Sequence, residues 1–142
     1  MGRIMAFDYG RKRTGIAVTD PSQIIATGLD TLPTHTVFVF LASYLQIEPV
    51  EAFVVGQPRQ MDNTPSEAQQ FTEPFVKKLR KLYPHIPVYR VDERMTSRMA
   101  TRTLLEAGAK KSDRQRKDLV DKISAVLILQ LFMEMESNRI RL

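Results

Sequence analysis

Apolar and polar positions along the chain follow two rhythms. The first third consists of short β-branched runs separated by turn residues. Ile4 to Asp8 is an apolar run closed by an aspartate, Tyr9-Gly10-Arg11-Lys12-Arg13 reads as a turn, and Thr14 to Thr19 resumes as a strand. After a second turn at Asp20-Pro21-Ser22, Ile24 to Leu32 forms a third strand candidate interrupted by Gly28. Strands joined this tightly must be antiparallel neighbours, because a parallel connection needs about a dozen residues. The pattern predicts a three-stranded meander.

Helical spacing then takes over. Val37, Leu41, Tyr44 and Leu45 predict a helix capped by Thr34 or Thr36 and ended by Pro49. Glu51 to Gly56 is a continuous apolar strand of the kind buried on both faces of a sheet, running into a loop at Gly56-Gln57-Pro58. Thr64-Pro65-Ser66-Glu67 is a helix start, with Thr64 as cap, Pro65 at the first helical position and Glu67 closing a capping box. That helix carries Ala68, Phe71, Phe75, Leu79 and Leu82 on one face and stops before Pro84. Pro87 to Val91 is a short strand leading into Asp92-Glu93-Arg94. Thr96 or Ser97 caps a helix to about Ala107, with Gly108 as its stop. After a basic loop, the final helix has Leu119, Ile123, Val126, Leu127 and Leu131 as its apolar stripe.

The order βββαβαβαα predicts an α/β fold. Its mixed five-stranded sheet joins the antiparallel meander to two parallel strands, with helices on both faces. No linker or repeat divides it, so residues 1–142 read as a single domain.

Composition narrows the chemistry. Cysteine is absent, which removes disulfides, thiolate metal sites and a cysteine nucleophile. His35 and His85 are the only histidines, too few for a multi-histidine zinc site. The longest apolar run, Val37 to Ala42, is far short of the roughly 20 residues of a membrane span. With no signal-peptide pattern at the N-terminus, a cytoplasmic protein without membrane contact is expected. There are 21 Lys plus Arg and 16 Asp plus Glu, a net charge of +5, and that sum alone identifies no partner.

The acids say more by position. Asp8 closes the first strand and Glu93 follows the last, at the edge where open α/β sheets bind ligands. Asp118 and Asp121 lie on one face near the start of the final helix, with Ser124 and Ala125 a turn further along that side. If the helix packs with this face inward, Asp8, Glu93 and Asp121 can converge. Convergent carboxylates repel unless protonated or neutralised by a cation, and an all-oxygen set suits Mg²⁺ or Mn²⁺. Two such ions would activate a water and stabilise the leaving oxygen of a phosphodiester. Each acid also has an ordinary structural account. Strand-ending aspartates cap turns, Asp121 suits the start of a helix, and Glu93 can pair with Arg94 or Arg98.

Taken in order, these residues carry a resemblance. Asp8 through Val18, Val55-Gly56-Gln57-Pro58, Met61-Asp62-Asn63-Thr64, Asp92-Glu93-Arg94-Met95-Thr96-Ser97 and Val120-Asp121-Lys122-Ile123-Ser124-Ala125-Val126 resemble the successive motifs of the YqgF family, also called RuvX. The match spans nearly the whole chain. It implies an RNase H-like fold and a nuclease, first suggested to resolve Holliday junctions and later assigned to 5′-end maturation of pre-16S ribosomal RNA. It further implies Asp8, Glu93 and Asp121 as catalytic, metal-binding residues for Mg²⁺ or Mn²⁺, with Asp118 in a secondary role. Gln57 and Arg59 make the second motif more polar than the family's. Asn63 stands for a glycine, and Ile123 takes a position that is often small, which would press the last helix away from the sheet.

Basic residues accompany each motif: Arg11, Lys12 and Arg13 after Asp8, Arg94 and Arg98 beside Glu93, and Lys110, Lys111, Arg114, Arg116 and Lys117 before the aspartate helix. On one edge they would form a phosphate-contacting rim around an acidic centre. The expected partner is nucleic acid: precursor rRNA, with pre-ribosomal particles, or branched DNA, bound by a monomer or homodimer. Two other readings stand beside these. One is a non-catalytic RNA-binding factor of ribosome assembly, which needs the rim but no metal. The other is a phosphotransferase, because Asp8-x-Gly10-x-x-x-x-Gly15 also resembles the first phosphate loop of sugar kinases and actin-like ATPases. Those proteins hold nucleotide between two domains, and this chain supplies one.

Overall fold

The computed structural model describes residues 2–58, 69–93 and 117–141, with side chains of the last helix described from Lys122 to Met135. Strands β1 (Arg3–Asp8), β2 (Arg13–Thr19) and β3 (Ala26–Pro33) form the meander. A 3-10 turn at Thr34–Thr36 leads into helix α1 (Val37–Ile47), followed by β4 (Val50–Gln57), α2 (Gln69–Leu82), β5 (Val88–Asp92) and α3 (Lys117–Arg141). The sheet order is β3-β2-β1-β4-β5, antiparallel through the meander and parallel from β1 to β4 to β5. The expected helix from Thr96 to Ala107, the capping box at Thr64–Glu67 and the basic stretch from Lys110 to Arg116 lie outside the described residues.

Side chains alternate across each strand, and the two faces differ in volume. Met5, Phe7, Ile16, Val18, Phe53 and Val55 pack on Val37 and Leu41 of α1 and on Phe75, Val76 and Leu79 of α2. The opposite face carries Ile4, Ala6, Ala17, Ala52, Val54 and Val91 against Ala125, Ile128, Leu129 and Phe132 of α3. Alanine and glycine there let the helix come close. A Cβ on Gly28 would stand 2.7 Å from Lys122 Cγ, and one on Gly56 would stand 2.7 Å from Ile128 Cδ1.

Four details depart from the sequence reading. The face of α3 turned to the sheet is Ser124, Ala125, Ile128, Leu129 and Phe132, whereas Ile123, Val126, Leu127 and Leu131 are only half-buried. Ile123 therefore lies at the flank, and it does not lift the helix. β3 begins at Ala26 because Ile24 and Ile25 belong to the turn. There the Asp20 carboxylate accepts from the backbone N–H groups of Ser22, Ile24 and Ile25 at 3.2, 2.8 and 2.7 Å, with Gln23 left-handed at φ 59°. The strand runs through Gly28, and Ile16 pairs with Asp30 while Ala17 pairs with Gly28, leaving Leu29 as an extra, bulged residue. Thr36 occupies the N-cap position of α1, as expected, but its side chain makes no capping bond. The Thr36 hydroxyl donates to Pro33 O at 2.7 Å and that of Thr34 to Gly10 O at 2.5 Å, so the helix grows out of the 3-10 turn instead.

Two outcomes follow from this packing. Ala17→Leu forces bulk beneath α3 and costs about 1–3 kcal/mol of stability in urea titrations. The backbone N–H of Ile25, then those of Ile24 and Ser22, hold the Asp20 carboxyl below its ordinary value of 3.8. A group stabilised in its charged form contributes above its unfolded pKa and loses that contribution as pH falls through its depressed one. Asp20→Asn is therefore expected to melt below wild type at neutral pH, the gap narrowing as the solution is acidified past that point.

Candidate functional site

Strands β1, β4 and β5 run parallel, so their carboxyl ends share one edge of the sheet. Asp8 is the last residue of β1, and Glu93 directly follows Asp92, the last of β5. Alternation puts Asp8 on the face of Ile4 and Ala6, beneath α3. Glu93 continues the side of Tyr89, whose ring lies 5.0 Å from that of Phe132, and of Val91. Both acids thus face the small-residue side, and both are half-buried.

Gly56 lies between them on β4, inside the strand as expected, and the strand runs on through Gln57. A Cβ at Gly56 would stand 2.5 Å from Glu93 Cδ and 2.6 Å from its Cγ. The carboxyl group of Glu93 therefore lies over Gly56, drawn from β5 across the strand that separates it from β1. Neighbouring strands are about 4.8 Å apart, so this lean closes roughly one strand spacing of the gap to Asp8. Glu93 N–H donates to Gln57 O at 3.0 Å and holds the backbone just past the end of β5. A glycine inside a buried β-branched run was the available signal for such a close approach.

The side chains of Asp118 and Asp121 lie outside the described residues. As helix positions, 118 and 121 precede Ala125 by seven and four residues. Ser124 on the same helix is fully buried, and its hydroxyl has no hydrogen-bond partner among the described residues. Among the described residues no cluster of three or more metal-ligating side chains occurs, Asp8 and Glu93 being the two described members of the expected set.

The turn after Asp8 is held from below. Thr34 N–H donates to Lys12 O at 2.9 Å, and the Thr34 hydroxyl accepts from that of Thr14 while donating to Gly10 O. Arg11 and Lys12 are exposed, and Arg13 is half-buried where β2 begins. The Arg11 guanidinium stands 4.2 Å from the centroid of the Phe71 ring, and Tyr9 stacks on Phe75 at 4.6 Å. Arg11 consequently sits on the α2 side of the edge, opposite the side of the two carboxylates. Arg94, Arg98, Lys110, Lys111, Arg114 and Arg116 lie outside the described residues, as does the side chain of Lys117. Sequence reasoning missed Glu73 and Arg90, an ion pair at 2.7 Å beneath this edge. No described helix is long and apolar enough to cross a membrane.

Gly56→Ala places a methyl group where Glu93 and Ile128 now lie. The chain is expected to stay folded with a loss of about 1–3 kcal/mol. Amide resonances of Glu93 and Ile128 should shift while those around Gly28 do not.

Comparison with known proteins accords with this architecture. A family model described as RuvX, Holliday junction resolvase, matches residues 2–135. Relatives from Bacteroides thetaiotaomicron and Porphyromonas gingivalis, each named "Putative pre-16S rRNA nuclease", are 57% identical over 134 residues, covering 94% of this chain and 97% of theirs. Among solved structures, Thermus thermophilus RuvC in complex with a Holliday junction substrate superposes with a TM-score of 0.59 at 16% identity, over 96% of this chain and 97% of that one. That likeness shows a shared fold, the RNase H-like α/β arrangement. The match to the family model over almost the full length, together with relatives identical at more than half of their aligned positions, shows that the chain belongs to the YqgF/RuvX family.

Proposed function

We propose that this chain, acting as a single domain over residues 1–142, is a metal-dependent endonuclease that processes the 5′ end of pre-16S rRNA in the cytoplasm. One observation carries the reading. Two carboxylates from the ends of parallel strands face the same small-residue side, and Glu93 is drawn across Gly56 toward the strand that ends in Asp8. The substrate follows the name carried by relatives that match over nearly their whole length.

The residues fit a hard divalent cation. The donors are oxygens only, no thiol competes, and the buried Ser124 hydroxyl offers a spare donor and acceptor on the helix that carries position 121. Asp8, Glu93 and Asp121 would hold Mg²⁺ or Mn²⁺, with Asp118 in a secondary role. When bound, such an ion supplies charge for a phosphodiester oxygen and acidifies a water. The chain's own part is to orient: the strand ends fix the two acids, and α3 closes the side above them. Arg11, Lys12, Arg13, Arg94, Arg98, Lys110, Lys111, Arg114, Arg116 and Lys117 would hold the phosphate backbone without reading its sequence.

A second reading, cleavage of four-way DNA junctions, is favoured by the family model's own description. Symmetric cutting of that kind requires a homodimer, whereas trimming one RNA end suits a monomer. Purified protein incubated with Mg²⁺ or Mn²⁺ on precursor rRNA and on DNA junctions in parallel separates the two. Asp8→Asn, Glu93→Gln and Asp121→Asn are each expected to lose about 100-fold or more in cleavage, the scale of several kcal/mol of transition-state stabilisation, while melting as folded proteins. Binding of RNA without cleavage by wild type would mark a non-catalytic assembly factor. Cleavage surviving in all three variants would sink the proposed site.

A further inference from the structure

One arginine reaches the floor of the candidate site from the opposite face of the sheet. Arg90 on β5 alternates with Tyr89 and Val91, so its side chain leaves the sheet on the side of α1 and α2. Its guanidinium spreads three donors. Nε donates to Val55 O at 3.2 Å, Nη2 to Gly56 O at 3.3 Å, and Nη1 to Glu73 Oε1 on α2 at 2.7 Å. The arginine side chain is 18% exposed and that of Glu73 39%, so the arginine end of the pair is the buried one.

The two carbonyls are consecutive, and their place in the ladder explains why a side-chain donor matters there. Pairing between β1 and β4 stops at Phe7 and Val55. Phe53 N–H donates to Pro87 O and Glu93 N–H to Gln57 O, so the odd-numbered residues of this stretch turn their backbone groups toward β5. Gly56, between them, turns its carbonyl toward β1 at a point beyond the last rung. Arg90 supplies a donor at that point. A glycine has wide backbone freedom, and the carboxyl of Glu93 lies directly over this one.

We propose that Arg90, locked by Glu73, is a positioning residue for the candidate centre. It fixes Gly56 from below, so that the Glu93 carboxyl above it is held in one place relative to Asp8. The proposal rests on the metal-dependent reading of that site. A planar fork of donors serves two carbonyls and a carboxylate at once, whereas a lysine ammonium is a point donor on a flexible stem.

The test uses the full chain as wild type, Arg90→Met, Arg90→Lys and Glu73→Gln. Backbone amide exchange is measured without metal, Mn²⁺ uptake by titration calorimetry, and kcat and KM on precursor rRNA. In Arg90→Met the amides of Gly56 and Glu93 are expected to exchange about tenfold faster or more, while those of Ala17 and Val18 stay as in wild type. Mn²⁺ affinity and kcat should each fall by about 10–100-fold, the scale seen when a partner behind a metal ligand is removed, with KM nearly unchanged. Arg90→Lys should resemble Arg90→Met despite its charge, and Glu73→Gln, which keeps an acceptor, should be milder. If Arg90→Met does not fold, Arg90→Lys carries the comparison. Wild-type Mn²⁺ affinity, kcat and exchange in the arginine variants, whatever their melting temperatures, would overturn the proposal alone. A wild type that takes up no Mn²⁺ would overturn the metal reading, and the proposal with it.

Discussion

The close seating of α3 on one face of the sheet depends on a difference in side-chain volume between the two faces. On one side Met5, Phe7, Phe53 and Val55 fill the space beneath α1 and α2. On the other, Ala6, Ala17 and Ala52, with Gly28 and Gly56, leave room for a helix whose own contact surface includes Ser124 and Ala125. Interiors pack to near-crystalline density, so small residues on facing elements bring their backbones together and leave no void. The strand-end acids fall on this side by alternation. The same shallow packing that buries α3 brings Ile128 against Gly56, the residue over which the Glu93 carboxyl lies.

Gly56 shows how one missing side chain serves several contacts. It leaves space for the Glu93 carboxyl and for the tip of Ile128, and its carbonyl accepts from Arg90 on the far face. The sheet is thin enough there for a charge on one side to depend on a hydrogen bond made on the other. Arg90 and Glu73 are separated by 17 residues in sequence and join β5 to α2. The edge is thus braced from both faces, by α3 above and by α2 through this ion pair below.

Charge is divided in the same way. The two described acids of the site face α3, while Arg11 lies on the α2 side with its guanidinium over Phe71. A cation held on an aromatic ring gains about 0.5–1 kcal/mol at an exposed site and gives up little of its positive potential to solution. A backbone phosphate approaching the edge would meet acid on one side and base on the other. The net charge of +5 averages over that division.

Much of the fold was legible in the sequence, because alternation, turn residues and helical spacing are local signals. The meander, the two parallel strands and the placement of Asp8 and Glu93 at strand ends were all read from runs of fewer than ten residues, and the order of motifs identified the family. The stripe of α3 was misread for a physical reason. Apolar residues nearly encircle the helix, so spacing alone could not choose between Ile123, Val126 and Leu127 and the stripe through Ala125, Ile128 and Phe132. The small-residue face of the sheet made that choice. The roles of Thr34, Gly56 and Arg90 were likewise decided by tertiary structure, since each depends on a partner more than 20 residues away: Gly10 for Thr34, Glu93 for Gly56, and Val55 for Arg90. The sequence by itself determined which residues end the strands. Only the packing of large and small faces decided what lies over them, because volume complementarity is a property of two surfaces and neither can be read from one run of residues.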